Sequence, residues 1–470
     1  MGRHPRAVLV ATCRRRLAGG AFDGKVEDEM EILLAAAEAG CLIIDLAIES
    51  AEEVEPGQFA AFRNTLHRQG VALMISSHDF AFTRDLDQTL GRLQRFDPDI
   101  VKLVTTAHSI VDNLAIFQLL REQQGTPLVA IAMGEEGLPS RVLGPAAGSL
   151  FTFAAQPGTG GTAPGQVSAA TLRELYGFDS LSGSTRIYGV AGQPIAQSLS
   201  PLMQNTAFRS AGVDAVLLPL VTAGAEDLVR FTREVPPRGL AGVAVTMPLK
   251  QTILPYLDWI DPVAARVGAC NTIVRTEEGR LLGHNTDVAG VIVPLEQRLA
   301  LGGARVLVLG AGGAARAAVF GLREAGADVS ILNRTPAAAK ALAAQSGSRV
   351  ASQSSLAGET FDVLLNATPS GMSSQTPLPG TPGLFPFSGP DTQPLPAHLV
   401  FDMVYSPLET PLVRRARAQG LDVVPGVEMF VQQGVRQFSL WTGRQAPEPQ
   451  MRAVVLAALR EREQSRAVAV

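Results

Sequence analysis

Residues 304–322 (ARVLVLGAGGAARAAVFGL) pass from an uninterrupted apolar strand through Gly310, Gly312 and Gly313 straight into a helix. Such a corner leaves backbone N–H groups open at the positive end of a helix, where a pyrophosphate can approach closely. Glycines alone would also serve an ordinary strand–helix turn. The chain about 20 residues further on narrows the choice, because an NAD site usually has an acid there for the ribose 2′-hydroxyl. Here a second apolar run, VSILNRT (329–335), ends in Asn333, Arg334 and Thr335. Arg334 is a cation suited to a 2′-phosphate. The pattern therefore predicts NADP, held by Gly310, Ala311, Gly312, Gly313 and Ala314 with Asn333, Arg334 and Thr335.

The first 180 residues alternate in the same manner. Apolar runs recur at 7–12, 41–48, 71–76, 99–104 and 127–133, with a weaker sixth at 149–154. Helical stretches lie between them, such as 26–40 and 109–125. Continuous apolar strands alternating with amphipathic helices mean parallel βα units. Residues 155–165 form a Gly/Pro-rich loop, and 177–186 read as a linker before the strand RIYGVAG (186–192). The Ser/Pro/Gly-rich stretch 370–397 reads as a mobile surface loop.

The chain has 470 residues, enough for about three domains, or two if one is a barrel. Lys and Arg total 40 against 44 Asp and Glu, which removes the basic footprint of a nucleic-acid binder. Cys13, Cys41 and Cys270 form no CxxC and no zinc pattern, so no metal is expected, and they fit a reducing cytoplasm. No run of about 18 uncharged apolar residues suggests a membrane span. The start, with Arg3 and Arg6 before VLVAT, is read as a first strand rather than a signal peptide, because that apolar run is short and ends in Arg14, Arg15 and Arg16.

Residues 186–470 resemble the shikimate dehydrogenases, motif after motif and in family order. YGVAGQPIAQSLSP (188–201) resembles the opening strand and substrate loop, with Ser198 and Ser200 offering hydroxyls to a carboxylate. VTMPLK (245–250) carries Thr246 and Lys250, GACNTI (268–273) carries Asn271, and GHNTD (283–287) ends in Asp287. NATPSGM (366–372) resembles the loop beside the nicotinamide. DMVYSPLETPL (402–412) and PGVEMFVQQG (425–434) supply Met403, Tyr405, Gly426 and Gln433. The resemblance implies a substrate-binding domain over 186–288, onto which C-terminal helices from 427–470 pack back, and an NADP-binding Rossmann domain over 289–426. It assigns Ser198, Ser200, Thr246, Asn271, Tyr405 and Gln433 to substrate, and Met403 and Gly426 to cofactor.

Reducing a ring ketone needs hydride from one side and a proton for the developing alkoxide. Lys250 and Asp287 supply a proton donor and its orienting carboxylate. Asp287 also precedes VAGVIVPLE, where it could serve as a helix N-cap.

The first part resembles the type I 3-dehydroquinate dehydratases, (β/α)8 barrels that work through a Schiff base. VATCRRRLAGG (10–20) resembles the third strand and its loop, with Arg14 as a substrate arginine. ISSHDF (75–80) gives His78, and DIVKL (99–103) gives the Schiff-base lysine, Lys102. MGEEGLPSR (133–141) gives Arg141, and TAPGQ (162–166) gives Thr162 and Gln166. A lysine inside IVKLV must snorkel, pair or react. The departures are equally specific. The family's loop acid is Ala18, and its strand-four Asp-x-Glu is Asp45, Leu46 and Ala47. Six strands stand where eight close such a barrel, so the domain is about 60 residues short at its N-terminal side. Three explanations stay open: an internal start with a complete barrel upstream, a shortened inactive platform, or an open fold that pairs its edge strand with another chain. Ala18 and Ala47 point to an impaired dehydratase.

The fold expected is α/β, an incomplete (β/α)8-type barrel over 1–180 followed by the two-domain dehydrogenase. The function expected is NADPH-dependent reduction of 3-dehydroshikimate to shikimate, fused to a dehydratase-like domain that would use 3-dehydroquinate. Quinate is an alternative substrate, which the serine pair Ser198 and Ser200 disfavours. A reductase carrying a non-catalytic interaction module at 1–180 is the alternative from another class.

Overall fold

Five of the apolar runs in the first part become strands of one parallel sheet in sequential order. They are β1 (Val10–Thr12), β2 (Ile43–Ala47), β3 (Ala72–His78), β4 (Ile100–Thr106) and β5 (Leu128–Met133). This is the neighbour order that successive βα units of a barrel adopt. The computed structural model describes residues 7–156, 161, 163–356, 358–372 and 394–468. Contact density divides them into two compact units, residues 1–185 with 218–239, and 186–217 with 240–470.

In the first unit β2 to β5 are largely buried on both faces, as helix-covered parallel strands must be, whereas the edge strand β1 is mostly exposed. The period of two places Asp45, Ser76, His78 and Lys102 on one face, with Ser76 in register with Lys102 and His78 with Val104. The expected sixth strand is a correction. Leu150 donates one backbone bond to Leu128 (2.8 Å), but 149–154 then runs without a ladder. Phe151 and Phe153 instead lay their rings on the Met74, Ile100, Val129 and Ile131 cluster, so packing rather than pairing holds this segment.

The next sheet is built from β6 (Arg186–Gly192), β7 (Ala215–Val221), β8 (Gly242–Val245), β9 (Trp259–Ile260), β10 (Thr272–Arg275) and β11 (Leu281–His284) in the order β7-β6-β8-β10-β11-β9. β6 and β8 are parallel, and β10 runs antiparallel to both β8 and β11. The helix Gly426–Thr442 returns to this sheet, where Trp441 Nε1 donates to Ile273 O (3.0 Å), and to the Ser200–Ser210 helix, where Gln204 Nε2 donates to Gly434 O (3.0 Å); Glu448–Val468 packs on these two helices.

The last sheet holds β12 (Arg305–Leu309), β13 (Asp328–Leu332), β14 (Arg349–Val350), β15 (Phe361–Asn366), β16 (Ala397–Asp402) and β17 (Asp422–Val424). Its order, β14-β13-β12-β15-β16-β17, is the doubly wound arrangement with its switch point between β12 and β15, where such folds bind dinucleotides. All of its pairs are parallel. Of the expected surface loop 370–397, residues 373–393 lie outside the described residues, and β16 already begins at Ala397.

Candidate active sites

The second unit's site is built where neighbouring strands end. β6 and β8 lie side by side, and their outgoing loops are tied by Gln193 N to Met247 O (2.9 Å) and Thr246 N to Ala191 O (2.9 Å). One loop carries Ser198, whose Oγ accepts from Ser200 N (3.2 Å) at the start of the Ser200–Ser210 helix. The other carries Thr246 and Lys250. Lys250 Nζ donates to Asp287 Oδ2 at 2.5 Å. The lysine side chain keeps 22% of its surface open while that of Asp287 keeps 6%, so the ammonium can face a substrate from a buried carboxylate.

Asp287 opens the Asp287–Glu296 helix but does not cap it. Thr286 holds the N-cap position, and the Asp287 carboxylate turns to Lys250 and Asn271. Asn271 Nδ2 donates to Asp287 Oδ1 (2.8 Å) and Thr286 Oγ1 (3.0 Å). Asn271 therefore supports the carboxylate from the loop that was expected to meet substrate. Gln433 packs beside Gly290, one turn beyond Asp287, and donates to Phe430 O (2.8 Å). Tyr405 stacks on Phe430 (centroids 4.7 Å apart), and burial raises its phenol.

The nucleotide site sits at the switch point. Gly310 follows β12 with φ +113°, and its Cβ would lie 3.0 Å from Ala367 O, so the turn excludes larger residues twice over. Gly312 and Gly313 meet nothing within 4 Å at a built Cβ, and the helix Gly313–Glu324 has no side-chain cap. Its first N–H groups are thus open, which fits a diphosphate. Gly310 N donates to Leu332 O (2.8 Å), which sets Ala311 and Ala314 beside the end of β13. There Asn333 Nδ2 bonds Thr335 O (3.0 Å) and Arg334 is exposed, as a 2′-phosphate ligand needs to be. Met403 follows β16, and a Cβ on Gly426 would fall 2.4 Å from Val404 O, so the Gly426–Thr442 helix begins in direct contact with that strand end. Sequence reading passed over Asp402. It is fully buried, accepts from Thr410 Oγ1 (2.5 Å) and Asn366 Nδ2 (2.9 Å), and burial raises its carboxyl. The signal was present in the apolar run LVFDMV, where an acid needs partners.

In the first unit, Lys102 Nζ donates to Asp45 Oδ2 (2.9 Å) and stands 4.3 Å from the centroid of Phe153. Arg14 Nη2 donates to the same Asp45 oxygen (3.1 Å) and to Ser76 Oγ (3.1 Å), while Nη1 meets His78 Nδ1. Burial lowers the lysine, against the pull of Asp45. Burial would raise Asp45, yet Lys102 and Arg14 hold it below its ordinary value. Burial, then Arg14 and Lys102, push His78 down to about 3. His78 is therefore neutral at pH 7, and with Nδ1 facing a guanidinium its proton sits on Nε2. Asp45, read from sequence only as the remnant of a depleted motif, is the hub of this site.

Arg141 is buried in the Leu138–Leu143 helix, where desolvation brings it to about 10. Its Nη2 donates to Pro164 O (2.9 Å), holding the segment that carries Gln166; Thr162 lies outside the described residues. Sequence reading also missed Glu29. It shares the buried stripe of Val26, Leu33 and Ala37, accepts from Ser50 Oγ (2.6 Å), and is raised by burial. An acid at that helical spacing was the available sign.

Among the described residues no three His, Cys, Asp or Glu side chains gather into a metal site, and no helix is long and apolar enough to cross a membrane. The type I 3-dehydroquinase family model matches residues 3–182. The shikimate dehydrogenase substrate binding domain matches 190–273, the shikimate/quinate 5-dehydrogenase model 295–375, and the shikimate 5′-dehydrogenase C-terminal domain 426–456. A chloroplastic bifunctional 3-dehydroquinate dehydratase/shikimate dehydrogenase of Arabidopsis thaliana is 34% identical over 93% of this chain and 73% of its own length. A shikimate dehydrogenase (NADP(+)) of Methanothermobacter thermautotrophicus is 38% identical over 57% of this chain and 94% of its own. The crystal structure of shikimate 5-dehydrogenase from Thermus thermophilus in complex with NADP(H) and shikimate aligns with TM-score 0.51 and 39% identity, covering 58% of this chain and 100% of that one. With both halves matched in order and one relative spanned across most of its length, the chain belongs to the bifunctional 3-dehydroquinate dehydratase/shikimate dehydrogenase family.

Proposed function

We propose that residues 186–470 reduce 3-dehydroshikimate to shikimate with NADPH, using 186–288 and the returning helices of 427–470 for substrate and 289–426 for cofactor. The observation that carries this reading is the Lys250–Asp287 pair, an ammonium open to a cleft on a carboxylate that is not. A nicotinamide coenzyme held at the Gly310 turn would supply the hydride for the ring carbonyl carbon. Lys250 Nζ donates a proton to the carbonyl oxygen as charge grows there, and Asp287 holds the amine in place. In the oxidative direction Lys250 accepts that proton. Ser198, Ser200 and Thr246 hold the carboxylate and ring hydroxyls, with Tyr405 and Gln433 closing the pocket. Gly310 to Ala314 hold the diphosphate, and Arg334 with Asn333 and Thr335 holds the 2′-phosphate. The protein works in the cytoplasm, consistent with three free cysteines. Shikimate-dependent NADP reduction by the purified chain tests the reading, and its absence at saturating coenzyme would overturn it.

The first unit supports a second, slower activity. A Schiff base needs Lys102 as a free amine, and Asp45 favours its ammonium. With Ala18 and Ala47 in place of acids, this unit forms an imine with 3-dehydroquinate but eliminates water slowly. A dehydratase turnover equal to that of the reductase would contradict this.

A further inference from the structure

We infer that Gln437 is a positioning residue for the proton-transfer pair, acting on Asp287 through Thr272 and Asn271; this rests on the dehydrogenase reading above. Each hydrogen bond in the chain has a fixed direction. Thr286 N can only donate, and it lies 2.7 Å from Asn271 Oδ1. That fixes the amide: Oδ1 faces Thr286, and Nδ2 faces Asp287 Oδ1 at 2.8 Å. Thr272 Oγ1 lies 2.9 Å from the same Oδ1, so its hydroxyl donates there. Thr272 must then accept, and Gln437 Nε2 is its donor at 3.0 Å.

Gln437 cannot face the other way. Its Nε2 also lies 3.4 Å from the backbone carbonyl of Asn271, which would repel an amide oxygen. On its far side the buried Oε1 has no partner among the described residues. A buried amide with an unmet oxygen is a poor choice for stability alone. Only the donor is used, and it sets the hydroxyl that sets the amide that holds the carboxylate. Asp287 Oδ2 is thereby left to Lys250. The chain of bonds reaches from the middle of the Gly426–Thr442 helix to the reacting ammonium.

The test is Gln437→Met, which keeps shape and removes the donor. It is expected to lower kcat for shikimate oxidation about tenfold, the scale of one lost buried hydrogen bond, with KM for NADP unchanged. The same variant should speed hydrogen exchange of the Asn271 side-chain amide, followed by 15N NMR, because the hydroxyl that fixes that amide is no longer held. Thr272→Val should lose as much as Thr272→Val/Gln437→Met together, and Thr272→Ser should restore the wild-type rate. Should Gln437→Met fail to fold, Gln437→Leu removes the donor at a similar volume. Independent, additive losses, or a wild-type rate with unchanged exchange of the Asn271 amide, would overturn the inference. If the wild-type chain does not oxidise shikimate at all, the dehydrogenase reading falls, and exchange of the Asn271 amide still decides the positioning role.

Discussion

Lys250 and Asp287, 37 residues apart in sequence, meet at 2.5 Å because the loop after β8 and the helix after β11 open at one place in the second unit. The carboxylate is the more deeply buried partner, so the pair presents the amine rather than the acid to its surroundings.

Lys250→Met should lower turnover about 10²–10⁴-fold, the range for removing a positioned general acid, and leave NADPH affinity nearly unchanged. Steady-state kinetics with coenzyme titration by fluorescence checks this. Weakened coenzyme binding at normal turnover would contradict it.

Arg334 stands exposed at the end of β13, next to the Gly310 turn. Arg334→Ala should cut the preference for NADP over NAD by about 1–3 kcal/mol, the scale of a charge-assisted contact. The ratio of kcat/KM for the two coenzymes reports it directly.

Gly426→Ala should destabilise the second unit by about 1–3 kcal/mol, because the new methyl would meet Val404 O at 2.4 Å and the backbone must shift. Urea unfolding measures the loss. A midpoint equal to wild type would mean that the helix start is more forgiving than its packing indicates.

His78 titrates at about 3 in the folded chain and near 6.5 when unfolded. Between those values the unfolded state binds more protons, so stability rises with pH; it is fully present above about 6.5 and is lost as pH falls towards 3. The lowered carboxyl of Asp45 adds to the same acid limb below its ordinary value. Melting temperatures from pH 7 to pH 4 should therefore fall more steeply in wild type than in His78→Gln.

Borohydride with 3-dehydroquinate should label Lys102 and no other lysine. Peptide mass spectrometry checks the site, and Lys102→Arg should abolish the label. Asp45→Asn should speed labelling at neutral pH, since it removes the anion that favours the ammonium.

The two sites were legible to different depths. The glycine turn and Arg334 needed only local sequence, because a strand–turn–helix positions its own groups. Lys102 stood out because a charge inside IVKLV has to find a partner. That partner, Asp45, lies 57 residues away, and no spacing rule reaches across two strands of a sheet. The run 149–154 alternates apolar residues like a strand, yet its phenylalanines pack on Met74 and Val129, and periodicity cannot separate packing from pairing.

By itself the sequence determined the α/β class, the family of each half, the coenzyme and most of the residues assigned to the sites. These rest on short-range patterns and on residue types that chemistry restricts. Tertiary structure alone decided which way the Asn271 amide points, that Asp287 turns to Lys250 rather than capping its helix, and that one buried aspartate ties Lys102 to Arg14. Hydrogen-bond direction and desolvation arise only when distant segments are packed together, so nothing local in the chain encodes them.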